Sequence, residues 1–270
     1  MSEEHLIHMR GFQPVKTASR FPVVVALLFA ASVTLTVLWC RSMSAMGGMR
    51  MPGGWTMSMA WMRMPGQSWP DAATSFAGMW AVMMVAMMLP SLVPALRRYR
   101  HADGARTAHM DRLTVLVAAG YLLVWILFGL AVFPVGVTLA ALAMQQPALS
   151  RAVPILSGVA VAIAGLFQFT TWKARQLACC REAGGRADTR PGDSRTAWRE
   201  GVRLGLLCVR CCANLMAILL VAGVMDLRVM VAVTAAITTE RVAPAGDSVV
   251  RGVGAGVVAA GAMLIVRSIS

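Results

Sequence analysis

Five apolar stretches recur along the chain, at 21–39, 74–96, 113–133, 152–172 and 204–224. Each is about twenty residues, long enough to cross a ~30 Å hydrocarbon core as a helix rising ~1.5 Å per residue. Two shorter, weaker runs follow at 227–239 and 249–266. In lipid every backbone N–H and C=O must find a partner within the chain, which leaves helices as the state for such runs. The expected fold is therefore all-α, a polytopic membrane helix bundle with six or seven transmembrane helices. Composition agrees: 58% of residues are hydrophobic, 14% are charged and the mean hydropathy is +0.67, far more apolar than a soluble domain requires.

The formal net charge of +13 raises the question of nucleic acid. The basic residues instead occupy short connections between the apolar runs, which argues against nucleic acid as a partner and makes them a topology signal. With the N-terminus inside, the tail, 97–112, 173–203 and 241–251 hold 18 Lys and Arg against 6 in the outer connections. The N-terminus is thus expected to be cytoplasmic. Seven spans put the C-terminus outside, whereas six, with 227–239 only dipping into the membrane, put it inside. The run at 21–39 exceeds a signal peptide's roughly 7–15-residue core, so it reads as an uncleaved first helix, and Trp39 before Cys40 fits a lipoprotein cleavage site poorly. The chain divides into a cytoplasmic tail at 1–20, a first transmembrane helix at 21–40, a Met-rich outer loop at 41–73 and a metal-binding helix bundle at 74–267. Pro90 and Pro94 are expected to kink the second helix. Pro134 and Gly136 are expected to turn 135–145 into a short lateral or re-entrant piece.

Sulfur is unusually plentiful, with 21 Met and 6 Cys, and it is clustered. Cys208, Cys211 and Cys212 lie with Met216 on one face of a helix, since positions spaced by three and four share a side. They form a set of soft ligands suited to Cu(I). Arg210 lies off that stripe but close by, where a cation would favour thiolates and offset a metal–thiolate charge. Met79, Met83 and Met87 repeat every four residues, with Met84 and Met88 as a parallel row. They read equally as adaptable packing or as a ladder of ligands. The 41–72 stretch holds eight further methionines, spaced as Met-x-Met and Met-x-x-Met. Thioethers need no deprotonation, and in a loop with no core to fill they read as weak Cu(I) ligands. Cys179 and Cys180 are either a point where metal enters or leaves or two unused reduced thiols. His5, His8 and Met9 are weak as a metal grouping, and His101 and His109 read as headgroup-level surface residues.

The two main sulfur rows fall at one depth. Met88 is about 14 residues into its inward-running helix, roughly 21 Å, leaving roughly 9 Å to the inner edge. Cys208 and Cys212 lie roughly 7–13 Å from that same edge by the same rise. If their helices are neighbours, a continuous soft track joins the outer loop to the cysteines.

The ordered motifs resemble a bacterial family of predicted metal-binding integral membrane proteins, the domain of unknown function 2182. They are Met79-Trp80 through Ala86-Met87-Met88-Leu89-Pro90, Gly120-Tyr121 with Trp125, Gln168 with Lys173, Trp198-Arg199 with Gly201, Cys208-x-x-Cys211-Cys212 with Leu215-Met216, Gly223-Val224-Met225, and Glu240. The resemblance covers roughly residues 74 to 262 and implies a metal-binding membrane protein concerned with copper. Cys180 fits one of the family's cysteines, whereas Gln176 stands where another is usual. Leu204 replaces a histidine, Ala213 a tryptophan and Arg210 a small residue. These departures point toward an all-sulfur site tuned by a nearby cation.

The expected function is capture of Cu(I) and its relay through Met79, Met83, Met84, Met87 and Met88 to Cys208, Cys211, Cys212, Met216 and Cys180. The chain would be a multi-pass transporter or metallochaperone of the bacterial inner membrane. Its partners would be the lipid bilayer, the metal ion and a copper-dependent membrane or periplasmic protein. No nucleotide-binding or hydrolase constellation appears, so no enzyme activity is expected. The alternative is a structural or assembly subunit of a membrane complex without metal.

Overall fold

The computed structural model describes residues 20–45, 47–64, 66–101, 108–183, 193–243 and 246–269. Nearly all of them lie in helices: α1 Arg20–Ala45, α2 Trp69–His101, α3 Ala108–Gln145, α4 Pro147–Phe167, α5 Thr171–Ala183, α6 Ser194–Ala222, α7 Leu227–Val242 and α8 Gly246–Ile269. Between α1 and α2 sits a small hairpin, β1 Met49–Arg50 against β2 Thr56–Met57. Six helices, α1, α2, α3, α4, α6 and α8, are long and apolar enough to cross a membrane. This is the expected all-α polytopic bundle. The tail histidines His5 and His8, with Met9, and the loop residue Met46 lie outside the described residues.

Cross-chain contacts fix the direction of every pass. Arg100 near the end of α2 covers the Phe21 ring at the start of α1 and pairs with Asp111 at the start of α3. Glycines let α3 and α6 run parallel in close contact: a Cβ on Gly120 would meet the Trp198 carbonyl oxygen at 2.7 Å, and one on Gly205 would meet Tyr121 and Val124. Helix α8 is antiparallel to α4, with Gly158 against Gly261 and Ile265, Gly165 against Val258 and Gln168 against Gly254. Helix α7 has only 16 residues, roughly 24 Å at ~1.5 Å per residue. It nonetheless starts where α6 ends and finishes with Arg241 beside Cys208, so it returns antiparallel to α6. Helix α7 therefore runs back along α6 as far as Cys208, and the starts of α1 and α8 point the same way. Asp226 begins the return by accepting the Arg228 and Val229 amides, and Gly223 at φ 130° makes the reversal.

Two expectations are corrected. Residues 135–145 are not re-entrant but continue α3 without a break through Pro134, and the missing side chain at Gly136 seats the Trp61 ring. Helix α2 runs as one element through Pro90 and Pro94, and beside Pro90 the Ser91 hydroxyl donates to the Met88 carbonyl at 2.9 Å. The Met-rich connection does have a core to fill. Met51 and Met57 are buried against Ala140 and Ala143, with Trp55, Trp61 and Met62 around them. Trp55 Nε1 donates to the Ser150 carbonyl and Ser150 Oγ to the Pro52 carbonyl, both at 2.9 Å, which clamps the hairpin onto the junction of α3 and α4.

Candidate metal centre

The amphipathic stripe of α6 that faces its neighbours carries Cys208, Cys211, Cys212, Leu215 and Met216, all buried. The three Sγ atoms lie within 4.8 Å of one another. Cys208 and Cys212 are 3.8 Å apart, Cys211 and Cys212 3.4 Å. A metal–sulfur bond of about 2.3 Å places the sulfurs of a trigonal site roughly 4 Å apart, so the triad closes on an ion with small side-chain adjustments.

Polar groups from four other helices converge on these thiols. From α3, Tyr121 donates its hydroxyl to Cys208 Sγ at 3.0 Å. From α7, Arg241 Nη1 reaches Cys208 Sγ at 3.2 Å and Ser91 Oγ of α2 at 2.9 Å. Lys173 of α5, whose side chain has no exposed surface, donates to the Cys211 carbonyl at 2.6 Å, Glu240 Oε2 at 2.9 Å and Asn214 Oδ1 at 3.4 Å. Its three ammonium protons are thus all engaged. Gln168 completes the carboxylate from the other side, Nε2 donating to Glu240 Oε1 at 2.6 Å, and Arg181 donates to the Glu240 backbone carbonyl. A buried ion pair is tolerated when such partners satisfy it on all sides.

Cys180, on the short helix α5, is also buried and interacts with the Cys211 side chain. Its thiol is held below the ordinary thiol range, chiefly by that hydrogen bond with Cys211, with Arg241 and Lys173 adding their charge while burial pushes it up. Its neighbour Cys179 is exposed.

The methionine row is inside the protein. Met83, Met84, Met87 and Met88 are buried and Met79 packs against them, all in one continuous core with the three cysteines, Cys180 and Met216. The main neighbours of α2 are α1, α3 and α7, and those of α6 are α3, α4, α5 and α7. The shared depth still holds, because Ser91, three residues beyond Met88, meets Cys208 through the single Nη1 of Arg241. Arg210 is exposed on the far side of α6. The cation beside the thiols is Arg241. Arg241, Arg181, Ser91 and Asn214 were not evident from sequence; the only signal was a Glu240-Arg241 pair ending an apolar run.

A family model described as PpoB2, copper chaperone, matches residues 77–264. It supports the copper-related family implied by the motifs, under this description and not as the domain of unknown function 2182. Comparison with curated proteins and with solved structures gives no match. The matched segment contains α3 to α7 whole and every residue of the centre described above, and the chain belongs to the PpoB2 copper-chaperone family.

Proposed function

We propose that this chain is a multi-pass membrane chaperone for Cu(I), which it holds as cargo on Cys208, Cys211 and Cys212, with Cys180 as an adjoining ligand. The observation that carries this reading is the buried thiol triad with its sulfurs within 4.8 Å. Its charge balance supports it further. Cu(I) on three thiolates carries two net negative charges, and Arg241, Arg181 and Lys173 set against Glu240 supply two net positive ones. A metal site in a low-dielectric interior needs such compensation. Thioethers select soft Cu(I) over zinc, and the buried Met83, Met84, Met87, Met88 and Met216 share one continuous core with the triad. Met79 and the half-buried methionines of the α1–α2 connection form the approach from the opposite face.

The protein's own part is to hold, desolvate and pass on the ion, without enzymatic chemistry. We place the N-terminus in the cytoplasm and the chain in a bacterial inner membrane, delivering copper to a copper-dependent membrane or periplasmic protein. Elemental analysis of reduced protein, wild type beside Cys208→Ser/Cys211→Ser/Cys212→Ser, tests the reading. At least one copper per chain, lost in the triple variant, is expected. Less than one equivalent, unchanged by the substitutions, would leave a structural or assembly subunit; zinc in place of copper would overturn the cargo.

A further inference from the structure

One charged side chain inside an apolar span has no use in the metal centre. Arg210 lies six residues into the apolar run 204–224 of α6, roughly 9 Å past its start at ~1.5 Å per residue. It is exposed, and among the described residues it has no hydrogen bond or ion pair. An arginine facing hydrocarbon is costly, and where no partner stands inside the chain it points to one outside.

Arg210 belongs to a row. Positions 199, 203, 206, 210, 217 and 221 follow one another by helical steps along the outward face of α6, and all of them are exposed. Toward the start of the helix the row is basic, with Arg199, Arg203 and Arg210; toward its end it is apolar, with Ala217 and Val221. Helix α6 carries four arginines against one glutamate. That glutamate, Glu200, is spent on Arg203, whose Nε and Nη2 donate to it at 2.8 and 2.7 Å. Side chains on a helix lean toward its N-terminus, so Arg210 reaches back toward Leu206 and Arg203, out of the apolar run. Trp198, five residues before Arg203 and 37% exposed, is the amphipathic ring that suits a membrane–water boundary.

We propose that this outward face of α6 binds an anionic phospholipid, its headgroup phosphate on Arg210 and Arg203 and an acyl chain along Ala217 and Val221. Guanidinium groups match phosphate geometry, and basic residues beside a membrane span recognise anionic headgroups. Cations above an apolar strip fit a phosphate above its acyl chains, whereas a single carboxylate on a partner helix would answer Arg210 alone. The same turn presents Cys208 and Cys211 inward and Arg210 outward, so the lipid braces the turn that carries the triad. The site is independent of which metal the triad holds.

The test titrates phosphatidylglycerol into the full chain in detergent and reads bound lipid by native mass spectrometry, with phosphatidylcholine and inorganic phosphate as comparison probes. One-to-one binding of phosphatidylglycerol, at least tenfold tighter than phosphatidylcholine, is expected. Arg210→Gln should weaken it at least tenfold. Arg228→Gln, at an exposed arginine near the start of α7, should stay within twofold. Equal binding of the two lipids, or Arg210→Gln within twofold, overturns the site. Inorganic phosphate displacing the lipid at equal concentration would make it a site for free phosphate and overturns the lipid. A lipid-free dimer that Arg210→Gln dissociates would assign the face to a second copy and overturns it as well. Should Arg210→Gln fail to fold, Arg199→Gln/Arg203→Gln takes its place under the same thresholds.

Discussion

Arg241 and Cys208 sit on antiparallel helices with Nη1 3.2 Å from Sγ, and the same nitrogen holds Ser91 Oγ at 2.9 Å. One guanidinium therefore sets the charge beside a ligand sulfur and ties α7 to α2 at that level. Removing partners that orient and tune metal ligands costs roughly 10–100-fold in affinity. Arg241→Gln should weaken Cu(I) binding by about that factor in chelator competition, with Arg241→Lys intermediate. Equal affinity in all three proteins would show the contact to be structural only.

The Lys173–Glu240 pair is buried on both sides. Breaking a buried pair by removing one partner costs about 3–5 kcal/mol, because the other charge is left uncompensated. Lys173→Met and Glu240→Gln should each lower the thermal unfolding midpoint in detergent. The double variant Lys173→Met/Glu240→Leu should recover most of the loss. Additive single-variant losses would contradict the pairing.

Close contact of α3 with α6 depends on absent side chains. A Cβ at Gly120 would lie 2.7 Å from the Trp198 carbonyl oxygen, whereas one at Gly78 meets nothing within 4 Å. Gly120→Ala should destabilise the fold by about 1–3 kcal/mol through overpacking. Gly78→Ala should be neutral or slightly stabilising, since Ala is the better helix former by ~1 kcal/mol. The comparison is read from unfolding in mild denaturing detergent.

A seventh crossing by α7, added to the six long apolar helices, would put the two termini on opposite faces of the membrane. Reporter fusions at residue 1 and residue 270 should therefore give opposite compartment signals. Identical signals would mean that α7 does not complete its return.

Asp193 begins α6 by accepting the Thr196 amide and hydroxyl, bonds that hold its carboxyl below the ordinary range. A depressed carboxylate pKa stabilises the folded state above the unfolded-state value of about 3.9 and loses that effect as pH falls through the folded one. The protection of the Thr196 amide, its exchange rate measured against the intrinsic rate at the same pH, should fall on acidification, and in Asp193→Asn that change in protection should vanish.

The spans were legible because lipid allows so few solutions to a twenty-residue apolar run. The triad was legible because helical spacing alone puts Cys208, Cys211 and Cys212 on one side. The cation was misread for the same geometric reason: Arg210, two residues from Cys208, is turned to the far face, while Arg241 arrives from 33 positions away. Such a contact depends on α7 reversing at Gly223, which hydropathy does not register. Helix α5 was hidden by its charges, and the burial of Met51 and Met57 depends on α3 persisting beyond Pro134. Pro134 reads as a breaker in sequence, yet it is accommodated in a long helix whose neighbours support it.

The hairpin clamped at Ser150 draws on partners 95 and 98 positions downstream. During synthesis the connection between the first two helices therefore waits, with Met51 and Met57 uncovered, until α3 and α4 have emerged and turned. Non-local closure of this kind is slow relative to helix formation. The cap at this end of the bundle is consequently assembled after the helices it joins, and a chain arrested before residue 150 would leave its methionines open to solvent and oxidants.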